Sequence, residues 1–201
     1  MMTDDELFRW ILLAGVVALL PIGLYHRLRA HTGEKIDRWQ EPLLILFGIR
    51  VVAGVAGLSL LAYLIDPRWM AWSSVPLPVP LRWAGVALSL LAGVLLVWMF
   101  RSLGKNITDT VVTRREHTLV TSGPYRWVRH PMYVALFLAV VGYSLAAANW
   151  LLLVSGLTIF TLLAIRSRQE EANLIARFGD DYRRYRAATG GFFPRLRRPA
   201  F

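Results

Sequence analysis

The chain has 201 residues, of which 56% are hydrophobic and only 18% charged. That balance excludes an ordinary soluble domain, which carries more charge and shorter apolar runs. The absence of cysteine also excludes disulfides, zinc–thiolate centres and thiol nucleophiles. In a soluble protein the formal charge of +10 would suit nucleic acid. Here the basic residues crowd the ends of apolar runs, where membrane headgroups and topology account for them, so no nucleic-acid partner is expected.

The acidic start, Met1 to Glu6, does not read as a cleavable leader. The first apolar run, Phe8 to Tyr25, is therefore expected to be a retained span, kinked or ended by Pro21. A basic loop, His26 to Pro42, follows, with room for a short surface helix. The second run is Leu43 to Ile65, interrupted by Arg50, which is expected to face the interior or to snorkel to an interface. Ala53 and Gly57 form a small-xxx-small pair suited to close helix contact. Asp66 to Pro80 carries Trp69 and Trp72, which suit a membrane–water interface, and alternating prolines that favour extended chain.

The third run is Leu81 to Phe100, with Arg82 at its start. After the long polar connection from Arg101 to Arg129 comes the fourth run, Met132 to Ala148. Asn149 supplies the turn into the fifth, Trp150 to Ile165, making a tight helical hairpin. Both runs are slightly short for a full span. The tail from Arg166 onward reads as polar helix. Phe178-Gly179 marks a helix end, Asp180 or Asp181 can cap a short helix through Tyr185, and Gly190-Gly191-Phe192-Phe193-Pro194 breaks it.

These runs predict an all-α integral membrane protein with about five transmembrane helices. The basic residues orient it. The first loop holds Arg27, Arg29, Lys35 and Arg38, and the third holds Arg101, Lys105, Arg114, Arg115, Arg126 and Arg129. The tail holds nine arginines, whereas the alternate loops hold almost none. The positive-inside rule then puts the N-terminus outside and the C-terminus in the cytoplasm.

Two polar clusters fall on that cytoplasmic side. In the first, Gly123-Pro124 makes a tight turn and Pro131 fits the first position of the fourth helix. The N–H groups of that helix end can hold a carboxylate or phosphate. His130 stands beside them, and Tyr125 and Tyr133 offer flat faces and hydroxyls. An interfacial belt that only anchors the helix accounts for the same composition. In the second cluster, Arg166 and Glu170 share a helix face, which also suits a plain surface pair. Glu171 is expected to point elsewhere, to solvent or to the basic loop. The scattered histidines give no metal site.

The pattern His117-x-Leu119-Val120-x-x-Gly123-x-Tyr125-x-x-x-Arg129-His130-Pro131-x-Tyr133, an apolar hairpin, Arg166-x-x-x-Glu170-Glu171 and then Phe178-Gly179-x-x-Tyr182-x-x-Tyr185 resembles the isoprenylcysteine carboxyl methyltransferase family. It is also similar to the membrane phospholipid methyltransferases. The resemblance covers about His117 to Pro194. It implies one membrane domain, with three N-terminal spans over 1–100 and a cofactor-binding methyltransferase core over 101–201. It implies S-adenosyl-L-methionine as methyl donor, lined by His117, Leu119, Val120, Tyr125, His130, Pro131, Met132 and Tyr133. It puts Arg166 and Glu170 where donor and acceptor meet.

The implied acceptor is lipophilic, either a small molecule or a lipidated substrate that enters from the bilayer. A carboxylate acceptor needs orientation and partial desolvation, with Arg166 as a fork. An amine would make Glu170 a candidate base. The competing readings are a membrane sterol or lipid reductase using a nicotinamide, and a non-enzymatic lipid-binding protein.

Overall fold

The computed structural model describes residues 3–29, 43–103 and 119–195. His117 lies outside the described residues, as do Lys35, Arg38, Lys105, Arg114, Arg115 and most of the two basic loops. Six α-helices form the described chain: α1 (Asp4–Arg29), α2 (Leu43–Ile65), α3 (Val79–Leu103), α4 (Pro131–Ala146), α5 (Trp150–Phe178) and α6 (Asp180–Ala188). Four of them, α1, α2, α3 and α5, are long and apolar enough to cross a membrane. The fourth apolar run forms the 16-residue α4. At ~1.5 Å per residue it reaches about 24 Å, short of a ~30 Å hydrocarbon core.

Helix α1 opens with a reciprocal cap. Thr3 N–H donates to Glu6 Oε2 at 2.9 Å, and Glu6 N–H donates to Thr3 Oγ1 at 3.3 Å, which satisfies two end donors at once. The helix then runs through Pro21 to Arg29 rather than stopping there. Helix α5 likewise outruns its apolar part and carries Arg166, Glu170 and Glu171 on a continuous rod to Phe178. Gly179 ends it at φ +55°, a conformation that glycine adopts without a Cβ clash. Gly179 also takes the N-cap position of α6. Asp180 and Asp181 therefore do not cap that helix; they stand in its first turn and pair with Arg183 and Arg184.

The closest helix crossing joins α3 and α4. A Cβ on Gly85 would lie 2.6 Å from Ala146 N, and one on Gly142 would lie 2.5 Å from Ser89 Oγ. Small residues here let the backbones touch, the membrane counterpart of core packing. Among the described residues no helix packs closely on the Ala53–Gly57 pair. Both residues are exposed on α2, and a Cβ on Gly57 would meet nothing within 4 Å. Arg50 is exposed as well, which leaves the snorkelling reading and removes the interior one.

The α4–α5 turn is buried under the 3-10 segment Pro67–Ser73. The Asn149 side chain accepts from Leu152 N–H at 3.1 Å, capping α5, and donates to Ser73 Oγ at 2.7 Å. Arg82 locks the same end of the bundle. Its side chain is 7% exposed, pairs with Asp5 at 2.8 Å, donates to Ala146 O at 2.9 Å and lies over the Phe8 ring at 4.2 Å.

Candidate active site

Local chain geometry fixes the first polar cluster. Gly123 sits at φ +61°, and a Cβ there would overlap Ser102 Oγ at 2.1 Å. Only glycine lets the turn pack on α3. The chain then makes a 3-10 turn over Gly123–Arg126, and Val128 pairs in parallel with Gly190. Arg129 N–H donates to Gly190 O at 2.8 Å and His130 N–H to Gly191 O at 3.1 Å. A Cβ on Gly190 would lie 1.8 Å from Phe193 O, so this docking also requires glycine. Pro131 opens α4, where its missing N–H costs nothing.

That helix end offers fewer donors than expected from a bare terminus. The His130 N–H is committed to Gly191, and Tyr133 N–H reaches back to His130 O at 3.1 Å. The side chains do more. His130 is the N-cap but makes no side-chain capping bond; its ring turns toward α5. Nε2 lies 3.0 Å from Glu171 Oε1, and Nδ1 lies 3.9 Å from Glu170 Oε2. The Tyr133 hydroxyl donates to Glu170 Oε2 at 3.0 Å. The His130 and Tyr133 rings stack with centroids 5.4 Å apart, and Phe192 lies 5.4 Å from His130.

Glu171 turns to the basic loop, the second of its two expected directions, and there forms a hub that its place in the sequence does not announce. Its side chain is 11% exposed. It accepts from Arg129 Nε at 2.8 Å and from Arg129 Nη2 at 2.7 Å on Oε1, and pairs with Arg186 Nε at 3.0 Å on Oε2. Arg129 also donates through Nη1 to the Thr189 carbonyl. One carboxylate thereby ties α4, α5, α6 and the C-terminal turn together. A buried carboxylate needs such charged partners to offset its lost hydration. The Glu-Glu pair and the Arg-His-Pro triplet were visible as motif positions, but helical spacing does not say which of two adjacent glutamates turns inward.

Glu170 is chemically different. Its side chain is 32% exposed, and its near hydrogen-bond partner among the described residues is the uncharged Tyr133 hydroxyl. Its carboxylate also lies 3.9 Å from His130 Nδ1 and stands at the edge of the cluster, on the helix face it shares with Arg166. Burial pushes the Tyr125 hydroxyl far above the ordinary phenol value, and the negative charge on Glu170 adds to the shift. The same cause, burial first, raises Tyr182 and Tyr185. Tyr185 donates its hydroxyl to Tyr125 O at 2.7 Å, which fastens α6 to the Gly123 turn.

The structure thus brings together His130, Tyr133, Glu170 and, at the edge, Tyr125. Arg166 is half-buried on the Glu170 face of α5, as four-residue spacing requires. Pro131 is buried as a helix start, and Met132 is 43% exposed. Leu119 and Val120 are half-buried in the segment that leads to the Gly123 turn. Arg168 departs from its neighbours. With Thr161, Ile165, Arg129, His130, Glu171 and Phe192 it lines a cavity of about 370 Å3, on the side of α5 that helical periodicity turns away from Arg166 and Glu170.

Residues 85–176 match the model of the isoprenylcysteine carboxyl methyltransferase family. The protein-S-isoprenylcysteine O-methyltransferase of Schizosaccharomyces pombe is 36% identical over 94 residues, 45% of this chain and 40% of that protein. The Homo sapiens enzyme of the same name is 39% identical over 92 residues, 43% of this chain and 32% of that protein. The matched segments thus span about a third to two-fifths of those relatives' length. In fold, the chain is similar to a eukaryotic intramembrane Ras methyltransferase, an isoprenylcysteine carboxyl methyltransferase, with a TM-score of 0.53 and 23% identity. That likeness covers 79% of this chain and 54% of the other.

Proposed function

We propose that this integral membrane chain, whose residues 85–176 match the isoprenylcysteine carboxyl methyltransferase family, transfers a methyl group from S-adenosylmethionine to a lipophilic acceptor. The observation that carries this reading is the placing of two unlike glutamates of α5 against the start of α4. Glu171 is paired with Arg129 and Arg186 and bonded to the His130 ring. Glu170 is more exposed, accepts from the Tyr133 hydroxyl and faces the cluster's edge. A sulfonium donor with an ammonium group needs such a carboxylate, and flat neutral rings suit its adenine.

When bound, S-adenosylmethionine supplies an electrophilic methyl group on a positively charged sulfur. Glu170 would hold the ammonium group, with Tyr125, His130 and Tyr133 forming the adjoining wall. The Tyr133 hydroxyl orients the Glu170 carboxylate. Arg166, on the same helix face, would grip an acceptor carboxylate through paired N–H bonds. Such an acceptor needs no base, and alignment alone is worth roughly 7–11 kcal/mol. An amine acceptor would instead hand its proton to Glu170.

The acceptor class that fits best is an isoprenylcysteine-like or other isoprenoid or lipid carboxylate, reached from the bilayer, with the site on the cytoplasmic side. The test supplies purified protein with methyl-labelled S-adenosylmethionine and an S-prenylated cysteine bearing a free carboxylate. Base-labile label in the lipid fraction is expected, as a methyl ester requires. Donor binding without ester formation would remove the carboxylate acceptor, and no donor binding would remove the methyltransferase reading.

A further inference from the structure

An apolar groove of about 510 Å3 lies between α1 and α3, apart from the two glutamates. Leu12, Ala18 and Leu19 form one wall, Leu90 and Val94 the other, and Tyr143 of α4 lies beneath. Small residues open it. A Cβ on Gly15 would lie 3.6 Å from the Tyr143 hydroxyl, and one on Gly93 would lie 3.2 Å from Leu19. Among the described residues, Arg101 is the single charged one that lines it.

The two ends of the groove differ in charge. Near Val86, Arg82 is committed to Asp5 and to Ala146 O. At the other end, Arg101 is exposed and makes no ion pair among the described residues. A ligand with an anionic head and an apolar tail therefore fits in one orientation. Val86 and Arg101 are about 22 Å apart along α3 at ~1.5 Å per residue. That exceeds the ~15 Å depth of one leaflet, half of a ~30 Å core. A whole tail lies inside the groove when its head reaches Arg101. A smooth helix face holds lipid only in passing, whereas a cleft of this volume buries most of a tail.

We propose that the groove binds one anionic phospholipid of the surrounding membrane, with its tail between α1 and α3 and its phosphate at Arg101. The site does not depend on the methyl-transfer reading. It places the headgroup beside Ser102, on which the Gly123 turn packs.

The test is native mass spectrometry of the full detergent-purified chain, offered equal phosphatidylglycerol and phosphatidylcholine of matched tails. Retention of phosphatidylglycerol should exceed that of phosphatidylcholine about fivefold, the scale of one arginine near a headgroup. Arg101→Gln should abolish the preference. Ala18→Phe, at an exposed position on the groove wall, should reduce retention of both lipids. Equal retention by the unaltered chain would overturn the proposal, as would a preference that survives Arg101→Gln. A dimer that Ala18→Phe disrupts would assign the groove to a second copy and overturn it too.

Discussion

Nε2 of His130 lies 3.0 Å from Oε1 of Glu171, the same oxygen that holds Arg129. The carboxylate therefore serves as the clasp of the cluster, and removing it takes the counter-charge from the buried Arg129 guanidinium. Glu171→Ala is expected to destabilise the chain by about 3 kcal/mol, the usual cost of breaking a buried pair from one side. Thermal unfolding in detergent measures it. Glu171→Gln keeps the shape but not the charge and should fall in between.

Glu170→Gln should do the reverse. Its carboxylate is a third exposed and accepts from the Tyr133 hydroxyl, so the melting free energy should stay within about 1 kcal/mol of the unaltered chain. Methyl transfer should drop at least about a hundredfold if Glu170 acts at the reacting centre. Tyr133→Phe, which removes only the orienting bond, should cost about tenfold. Paired kinetics and melting curves check both. A Glu170→Gln chain with normal turnover would sink its assigned role.

Gly142→Val and Gly57→Val offer a direct contrast. At Gly142 a Cβ would meet Ser89 Oγ at 2.5 Å and Gly85 O at 2.8 Å, whereas at Gly57 it would meet nothing within 4 Å. Gly142→Val should cost 3 kcal/mol or more, at about the upper end for overpacking. Gly57→Val should be close to neutral. Size-exclusion profiles during heating separate the two outcomes.

Tyr125, Tyr182 and Tyr185 lie outside the spans, and burial raises each hydroxyl above its ordinary value of 10.0. Above pH 10 the unfolded chain loses these protons while the folded chain keeps them, so the unfolded state binds fewer protons and stability falls as pH rises. The melting temperature should show no contribution from them between pH 7 and about pH 9 and should decline from about pH 10 upward. Tyrosinate absorbance at 295 nm should show this group unionised until the fold opens.

Much of this arrangement is legible in the residues. Apolar runs mark the helices because backbone groups in lipid must bond within their own segment. Gly123, Pro131, Asn149 and Gly179 mark turns and helix ends for reasons of backbone chemistry that need no partner. The helix faces are another matter. Runs that are apolar all round carry no stripe to say which side meets a neighbour. Ala53-xxx-Gly57 of α2 and Gly85-xxx-Ser89 of α3 therefore look alike in sequence, and among the described residues only the second packs against another helix, α4. Glu170 and Glu171 are neighbours about 100° apart on α5. Which one faces Arg129 depends on where α6 and the Gly190 turn dock, and that is tertiary information.

The strand-like pairing of Val128 with Gly190 also sets an order of events during synthesis. Arg129 and Thr189 are 60 positions apart and bonded. Helices α4 and α5 can enter the bilayer well before Thr189 leaves the ribosome, since chains grow at roughly 5–20 residues per second. Until then His130 and Arg129 lack the backbone carbonyls that fix them. The nascent chain is thus inserted before the Glu171 cluster is complete, and a ribosome stalled short of Gly190 would leave that cluster unformed.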